Sequence, residues 1–186
     1  IGLTGMTPAS PRVQAIWNDG AFAAYAHYPV DCVTPLPQLD GTAPAQLAAL
    51  MFLNIADGGL LAVELRPGDS VIIGGATGNF GAHAVLVALA MGAARVIPTG
   101  RKTDVLDQLQ ALAPERVCPV ELCDSPADDT AAICAAAGGG ADCHLDITGG
   151  GGTAPVLAAM RALKPEGRVA LMGALQEPIQ LPYAEL

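Results

Sequence analysis

Gly74-Gly75-Ala76-Thr77-Gly78-Asn79-Phe80-Gly81 follows the apolar run Ser70-Val71-Ile72-Ile73 and opens a charge-free, helix-forming stretch. Residues of this kind at this spacing can hold a pyrophosphate on bare main-chain amides. The chain must turn tightly after a strand, and the backbone must approach phosphate oxygens with no Cβ between. A helix must also begin there, with unpaired N–H groups at the positive end of its dipole. Gly75 suits the turn, Gly78 the close approach and Gly81 the packing of helix on strand. The spacing is GxxGxxG, or AxGxxG counted from Ala76, and departs from the strict GxGxxG. The glycines alone also fit a strand–helix turn that binds nothing; the strand before them and the Ala/Val/Leu helix after them favour a dinucleotide. A phosphate-loop NTPase is excluded, because no Lys follows to reach a β- or γ-phosphate.

Further on, at the end of the next apolar run, stands Thr99-Gly100-Arg101-Lys102. A site built for NAD places Asp or Glu about here, on the ribose hydroxyls. Gly100 leaves room for a 2′-phosphate that a carboxylate would repel, and Arg101 and Lys102 can meet it. One unit-charge pair at about 5 Å and an effective dielectric near 20 is on the order of 3 kcal/mol before screening. The expected coenzyme is therefore NADP(H), and Gly100→Asp with Arg101→Ala is expected to reverse the preference. The competing reading makes both cations solvated residues at a helix start.

These clusters need a scaffold, and the composition allows one. The chain has 186 residues, 52% hydrophobic and 15% charged, enough for a buried core and too apolar for disorder. The net charge of −9 opposes binding to a nucleic-acid backbone. No apolar run is read as reaching the roughly 18 residues of a membrane span. The five cysteines, Cys32, Cys118, Cys123, Cys134 and Cys143, form no CxxC pair. They read as reduced, mostly buried thiols of a cytoplasmic protein.

Two textures meet near residue 40. Before it, Ala21-Phe22-Ala23-Ala24-Tyr25-Ala26-His27-Tyr28-Pro29 and Cys32-Val33-Thr34-Pro35-Leu36-Pro37 read as short strands of a β-rich piece, residues 1–43. From 44 to 186 helices and strands alternate. A helix over 45–63, interrupted at Gly58-Gly59, precedes the first strand at 70–73 and a helix over 79–91. Strands follow at 95–99, 117–122, 142–147 and 168–172, separated by helices at 103–112, 127–137 and 154–163. Strands apolar throughout and separated by helices predict a doubly wound α/β domain with a parallel sheet, a Rossmann fold. Pro98 fits only near the end of its strand.

The succession Pro67-Gly68-Asp69, the glycine turn, Ala90-Met91-Gly92-Ala93, Gly140-Ala141-Asp142, Leu145-Asp146 and Lys164-Pro165-Glu166-Gly167-Arg168 resembles the medium-chain dehydrogenase/reductase superfamily. This group comprises zinc alcohol dehydrogenases and zinc-free quinone oxidoreductases. Asp19-Gly20-Ala21-Phe22 and Pro35-Leu36-Pro37 resemble the last strands of its GroES-like catalytic domain. The resemblance covers roughly residues 19–182 and implies a fragment that begins inside the catalytic domain and stops before a sixth strand. It puts the pyrophosphate on Thr77, Gly78, Asn79, Phe80 and Gly81, and the 2′-phosphate on Gly100, Arg101 and Lys102. The nicotinamide side falls on Thr148, Met172, Gly173 and Ala174, with Asn54 as a weak catalytic candidate. It implies hydride transfer between NADPH and a carbonyl, alcohol, quinone or enone substrate, and a homodimer formed through the sheet edge. Zinc members would place a ligand near Leu50, where Ala48-Ala49-Leu50-Met51-Phe52 offers none, so zinc independence is expected. The alternatives are a zinc enzyme with its ligands outside this chain, and a non-catalytic, crystallin-like NADPH binder.

Other polar residues have structural readings. His83 and His144 read as hydrogen-bonded core histidines, and His27 keeps an open role on the β-rich piece. Asp124, Asp128 and Asp129 read as helix-start residues.

Overall fold

The computed structural model describes residues 8, 10–17, 20–36, 41–123, 125–150 and 152–181. Asp19, Pro37, Asp124 and Gly151 lie outside the described residues. The chain divides into two compact units, Ile1–Ala43 and Pro44–Leu186.

The first unit corrects the strand reading. Its described residues hold a short helix α1, Ser10–Gln14, and a 3-10 turn, Val30–Cys32, and no strand. A strand must satisfy alternate N–H and C=O groups on a neighbour. Among the described residues none of 20–36 is paired in a strand or bridge, and Phe22 and Tyr25 are exposed. Alternation of apolar and polar residues does not make a ladder without a partner.

The second unit is a five-stranded, all-parallel sheet. In chain order its elements are α2 (Pro44–Ala48), α3 (Leu50–Ala62), β1 (Ser70–Gly74), α4 (Asn79–Ala90), β2 (Arg95–Gly100), α5 (Thr103–Leu112), β3 (Val120–Glu121), α6 (Pro126–Ala137), β4 (Ala141–Asp146), α7 (Ala154–Arg161) and β5 (Leu163–Leu171). The strand order β3-β2-β1-β4-β5 reverses between β1 and β4, the doubly wound arrangement. Val71, Ile73 and Leu145 pack with Ala56 and Leu60 of α3 and with Val85 of α4 on one face. Ile72, Ile97 and Val120 pack with Ile133 of α6 and Ala158 of α7 on the other.

Several local expectations are corrected. The helix over 45–63 breaks at Ala49 and runs through Gly58-Gly59. A Cβ on Gly59 would lie 2.7 Å from Leu145 Cδ1 and 2.5 Å from Met172 Sδ, so this glycine brings α3 close to the sheet and does not stop the helix. Residues Pro44–Ala62 are also long and apolar enough, by length and composition alone, to cross a membrane, which the sequence reading overlooked; Asp57 stands within them and one face packs on α4. The third strand is short, with Val117 joined to Val96 only as an isolated bridge, while the fifth starts five residues early.

Pro98 sits two residues inside β2, paired with Ile73. Main-chain groups of Val96 and Gly100 bond towards β3, so by alternation the missing N–H of Pro98 also faces β3. It falls opposite the gap between the Val117 bridge and β3, where no ladder bond is demanded. Gly138, at φ 77, takes the left-handed conformation that ends α6.

The N-terminal edge of the sheet is stapled. Both the N–H and the O–H of Ser70 donate to Asp142 Oδ2 at 2.7 Å, and Lys164 Nζ donates to Oδ1 at 2.6 Å. Burial alone would raise the Asp142 carboxyl, but Lys164 and the Ser70 donors outweigh it and hold it at about 2, against an ordinary 3.8. The stability this adds is complete above about 3.8 and is lost as pH falls towards 2. Because Lys164 is half exposed, we expect on the order of 1 kcal/mol after screening. Denaturant titrations of wild type and Asp142→Asn at pH 6 and pH 2.5 should differ by that amount less at the lower pH.

Candidate functional site: the C-terminal edge of the sheet

The opposite edge is open. Beyond the ends of β1, β2 and β4 lies a cavity of about 370 Å³, within the range of small-ligand sites. Its wall is formed by the turn (Gly74, Gly75, Thr77, Gly78), the end of β2 (Thr99, Gly100, Arg101, Lys102) and the end of β4 (His144, Asp146, Thr148, Gly149). Leu122, Pro155 and Val156 complete it. The cavity lies beside the β1–β4 switch point, where open α/β sheets bind ligands.

The turn is built from main-chain geometry. Gly75 has φ 70, a left-handed conformation open to glycine at no steric cost. A Cβ on it would lie 3.0 Å from Thr148 Cα. The Gly78 N–H donates to Gly75 C=O at 3.0 Å, and the Ala76 N–H to Thr99 C=O at 3.0 Å, tying the turn to β2. Gly78 caps α4 in extended conformation with no side-chain cap. The first amides of α4 therefore have no capping side chain over them. A Cβ on Gly81 would collide with Gly75 O and stand 2.6 Å from Ala76 Cα, so α4 can start this close to the turn only with glycine there.

Of the residues proposed from sequence, Thr77, Gly78, Gly100, Arg101, Lys102 and Thr148 are brought together around the cavity. Asn79, Phe80 and Gly81 do not line it. Phe80 turns its ring to Phe52, with centroids 5.0 Å apart, and Gly81 is a packing residue. Met172, Gly173 and Ala174 do not line it either. They adjoin it through the 2.9 Å bond from Ala174 N–H to Thr148 C=O, and Met172 N–H donates to Asp146 C=O. Asn54 is an exposed residue of α3 away from the cavity wall.

Two ionisable wall residues were missed as site residues. His144 and Asp146 are registered with Ile72 and Gly74, and both are buried. Among the described residues neither ring nitrogen of His144 nor Asp146 Oδ2 has a hydrogen-bond partner. Asp146 Oδ1 accepts from the Thr148 N–H at 3.2 Å and from its hydroxyl at 2.6 Å. The missing Cβ of Gly74 would lie 3.0 Å from His144 Nε2 and 3.1 Å from Asp146 Oδ1, so both groups sit at the foot of the turn. Desolvation lowers the His144 pKa to about 4, and the ring is neutral at pH 7. Matching the length of the fourth apolar run to the first would have placed both residues at this edge.

The reading of both His83 and His144 as hydrogen-bonded core residues is corrected. His83 is hydrogen-bonded, its Nδ1–H donating to Asn79 C=O at 2.6 Å, but it is only half-buried against Phe52; His144 is in the core without a partner. His27 lies 4.8 Å from the Trp17 ring in the first unit. Asp128 and Asp129 stand in the first turn of α6, as expected, though Asp129 does not cap it and accepts the Cys123 N–H at 2.8 Å. All five cysteines are free thiols, and only Cys143 is buried, fewer than expected. Among the described residues no three His, Cys, Asp or Glu side chains converge on a metal position.

No family model and no curated protein matches the chain. Solved structures do. It is similar to the quinone oxidoreductase of Thermus thermophilus, solved alone and with NADPH, at 31% identity and TM-score 0.60 over 78% of this chain and 44% of that one. It is similar to an alcohol dehydrogenase superfamily protein from Novosphingobium aromaticivorans, at 30% identity and TM-score 0.60 over 76% and 40%. For the alcohol dehydrogenase of Thermus sp. ATN1 the values are 28%, 0.60, 73% and 38%. The chain thus spans about two fifths of the length of these proteins. This sheet order, this glycine turn and these likenesses are those of the medium-chain dehydrogenase/reductase superfamily.

Proposed function

We propose that this chain is the coenzyme-binding part of an NADP-dependent oxidoreductase that moves a hydride between NADPH and a carbonyl, alcohol, quinone or enone substrate. The observation that carries the reading is one cavity walled by both the glycine turn and Gly100-Arg101-Lys102, with no carboxylate at the end of β2. The residues fit the coenzyme: Gly75 and Gly81 let main chain pack closely enough to shape the turn, and Gly78, the N-cap at the positive dipole end of α4, stands in the cavity wall. In this reading the amides around Gly78 hold the diphosphate, and Arg101 and Lys102 take the 2′-phosphate. Thr148, with Met172 to Ala174 beside it, borders the nicotinamide half. The coenzyme, when bound, supplies the hydride; these residues fix its position and orientation.

Zinc independence is part of the same reading and rests on the ligand-free Ala48-Ala49-Leu50-Met51-Phe52. So is a homodimer, for which β5, the last strand of the sheet order, offers its outer edge.

Arg101→Ala tests the coenzyme assignment. A charge-assisted contact of about 1.5–3 kcal/mol corresponds to a ten- to hundredfold loss of NADPH affinity, with NADH affinity unchanged. Calorimetric titration with both coenzymes reads this directly. Equal losses for the two would remove the 2′-phosphate assignment, and no binding of either by wild type would remove the function.

A further inference from the structure

We propose that Thr77 is a specificity-determining residue: Thr77 and Gly100 form a matched steric pair that keeps an acidic side chain out of the end of β2 and so holds the site to the phosphorylated coenzyme. The inference rests on the coenzyme reading above and names a determinant outside the Gly100-Arg101-Lys102 segment.

Gly100 is not among the glycines at positive φ, so its backbone does not require glycine. Its reason is volume. A Cβ at position 100 would collide with Thr77 Cγ2, stand 2.8 Å from Thr77 Oγ1 and lie 3.2 Å from Thr77 Cβ. Rotation about χ1 does not relieve this. A threonine Cβ carries two heavy branches and one hydrogen over three staggered positions, and two of those positions now face residue 100. Whichever rotamer is chosen, at least one of the two keeps a heavy atom.

The backbone cannot open to make room either. The Ala76 N–H donates to Thr99 C=O at 3.0 Å, and the Leu122 N–H donates to Gly100 C=O at 2.9 Å. The turn is thus clamped to β2 on one side and β2 to β3 on the other. Gly100 makes room for Thr77 as much as for a 2′-phosphate, and Gly100→Asp with Arg101→Ala does not by itself create an NAD site. Removing the two branches leaves the 3.2 Å approach of the Thr77 Cβ as the closest contact, which a shift of a few tenths of an ångström accommodates.

The test compares three backgrounds by NADH and NADPH titration: Gly100→Asp/Arg101→Ala alone, the same pair with Thr77→Ala, and the same pair with Thr77→Val. We expect the Thr77→Ala triple variant to bind NADH at least tenfold more tightly than the double. The Thr77→Val triple should stay with the double, because valine keeps two heavy branches. Thermal melts of Gly100→Ala with and without Thr77→Ala give a readout that does not depend on coenzyme: the Tm loss caused by Gly100→Ala should shrink when Thr77 is truncated. If the double variant does not fold, recovery of folding by Thr77→Ala supports the pair and failure to recover overturns it. Equal NADH affinities in the double and the Thr77→Ala triple, both folded, overturn the pair while leaving the coenzyme reading intact. Wild type that binds neither coenzyme overturns both.

Discussion

Gly81→Ala is expected to destabilise the protein by about 2–3 kcal/mol and to weaken coenzyme binding at least tenfold, although alanine is the better helix former by about 1 kcal/mol. The added methyl group meets main chain on two sides, the Gly75 carbonyl oxygen and Ala76 Cα, and no flexible side chain can yield. The turn cannot retreat, because Ala76 is bonded to Thr99 and a Cβ on Gly75 would already be only 3.0 Å from Thr148 Cα. Helix α4 must therefore shift or tilt, and it carries its N-cap Gly78, a residue of the cavity wall, with it. For a chain of this size the loss corresponds to a fall in Tm of about 5–10 °C. Gly58→Ala is the matched control, a glycine in the middle of α3 with nothing within 4 Å of its would-be Cβ. It should gain up to about 1 kcal/mol. Opposite signs for the two in denaturant titrations distinguish packing from propensity; equal signs would refute the packing account of Gly81.

Between pH 7 and pH 4 the protein is expected to lose about 3 kcal/mol through His144 alone. In the fold its pKa is lowered by desolvation to about 4, whereas the unfolded chain titrates near 6.5. As pH falls through 6.5 the unfolded chain takes up a proton that the folded chain refuses, so stability declines until the folded ring titrates near 4. The difference of about 2.5 units sets the magnitude. His144→Val should flatten the stability profile in this window, since valine suits a β-strand beside Ile72 and Val169. The Asp142 effect falls below this window, between 3.8 and about 2, so the two are separable in one pH series. A His144→Val profile that still drops by the wild-type amount between pH 6.5 and 4 would refute the assignment. The lesion is at the cavity wall, so coenzyme titrations of the same variant also report whether the unpartnered ring contributes to binding.

Much of the fold was legible in the linear order. Strands buried on both faces are apolar along their whole length, and helices between them force parallel pairing. The glycine turn was legible because the positive φ of Gly75 and the packing of Gly81 on Gly75 and Ala76 are demands set within a few residues. Reading failed where the deciding partner is remote in sequence. Gly58-Gly59 resembled a helix break, yet Gly59 is there for Leu145 and Met172, which meet it only after the sheet has formed. Alternation before residue 40 resembled strands, but a ladder depends on a neighbour that alternation does not supply.

The candidate site divides in the same way. Sequence alone determined the parallel α/β architecture, the backbone cradle at 75–81 and the cations at 101 and 102, because these follow from residue types and short spacings. Only the tertiary structure decided that His144 and Asp146 stand in the cavity wall, that Asn54 does not, and that Gly100 is matched to Thr77. The register of β1 against β2 and β4 sets those neighbours. Register is fixed by side chains packing across strands some 25 to 70 residues apart, a long-range agreement that no local pattern records.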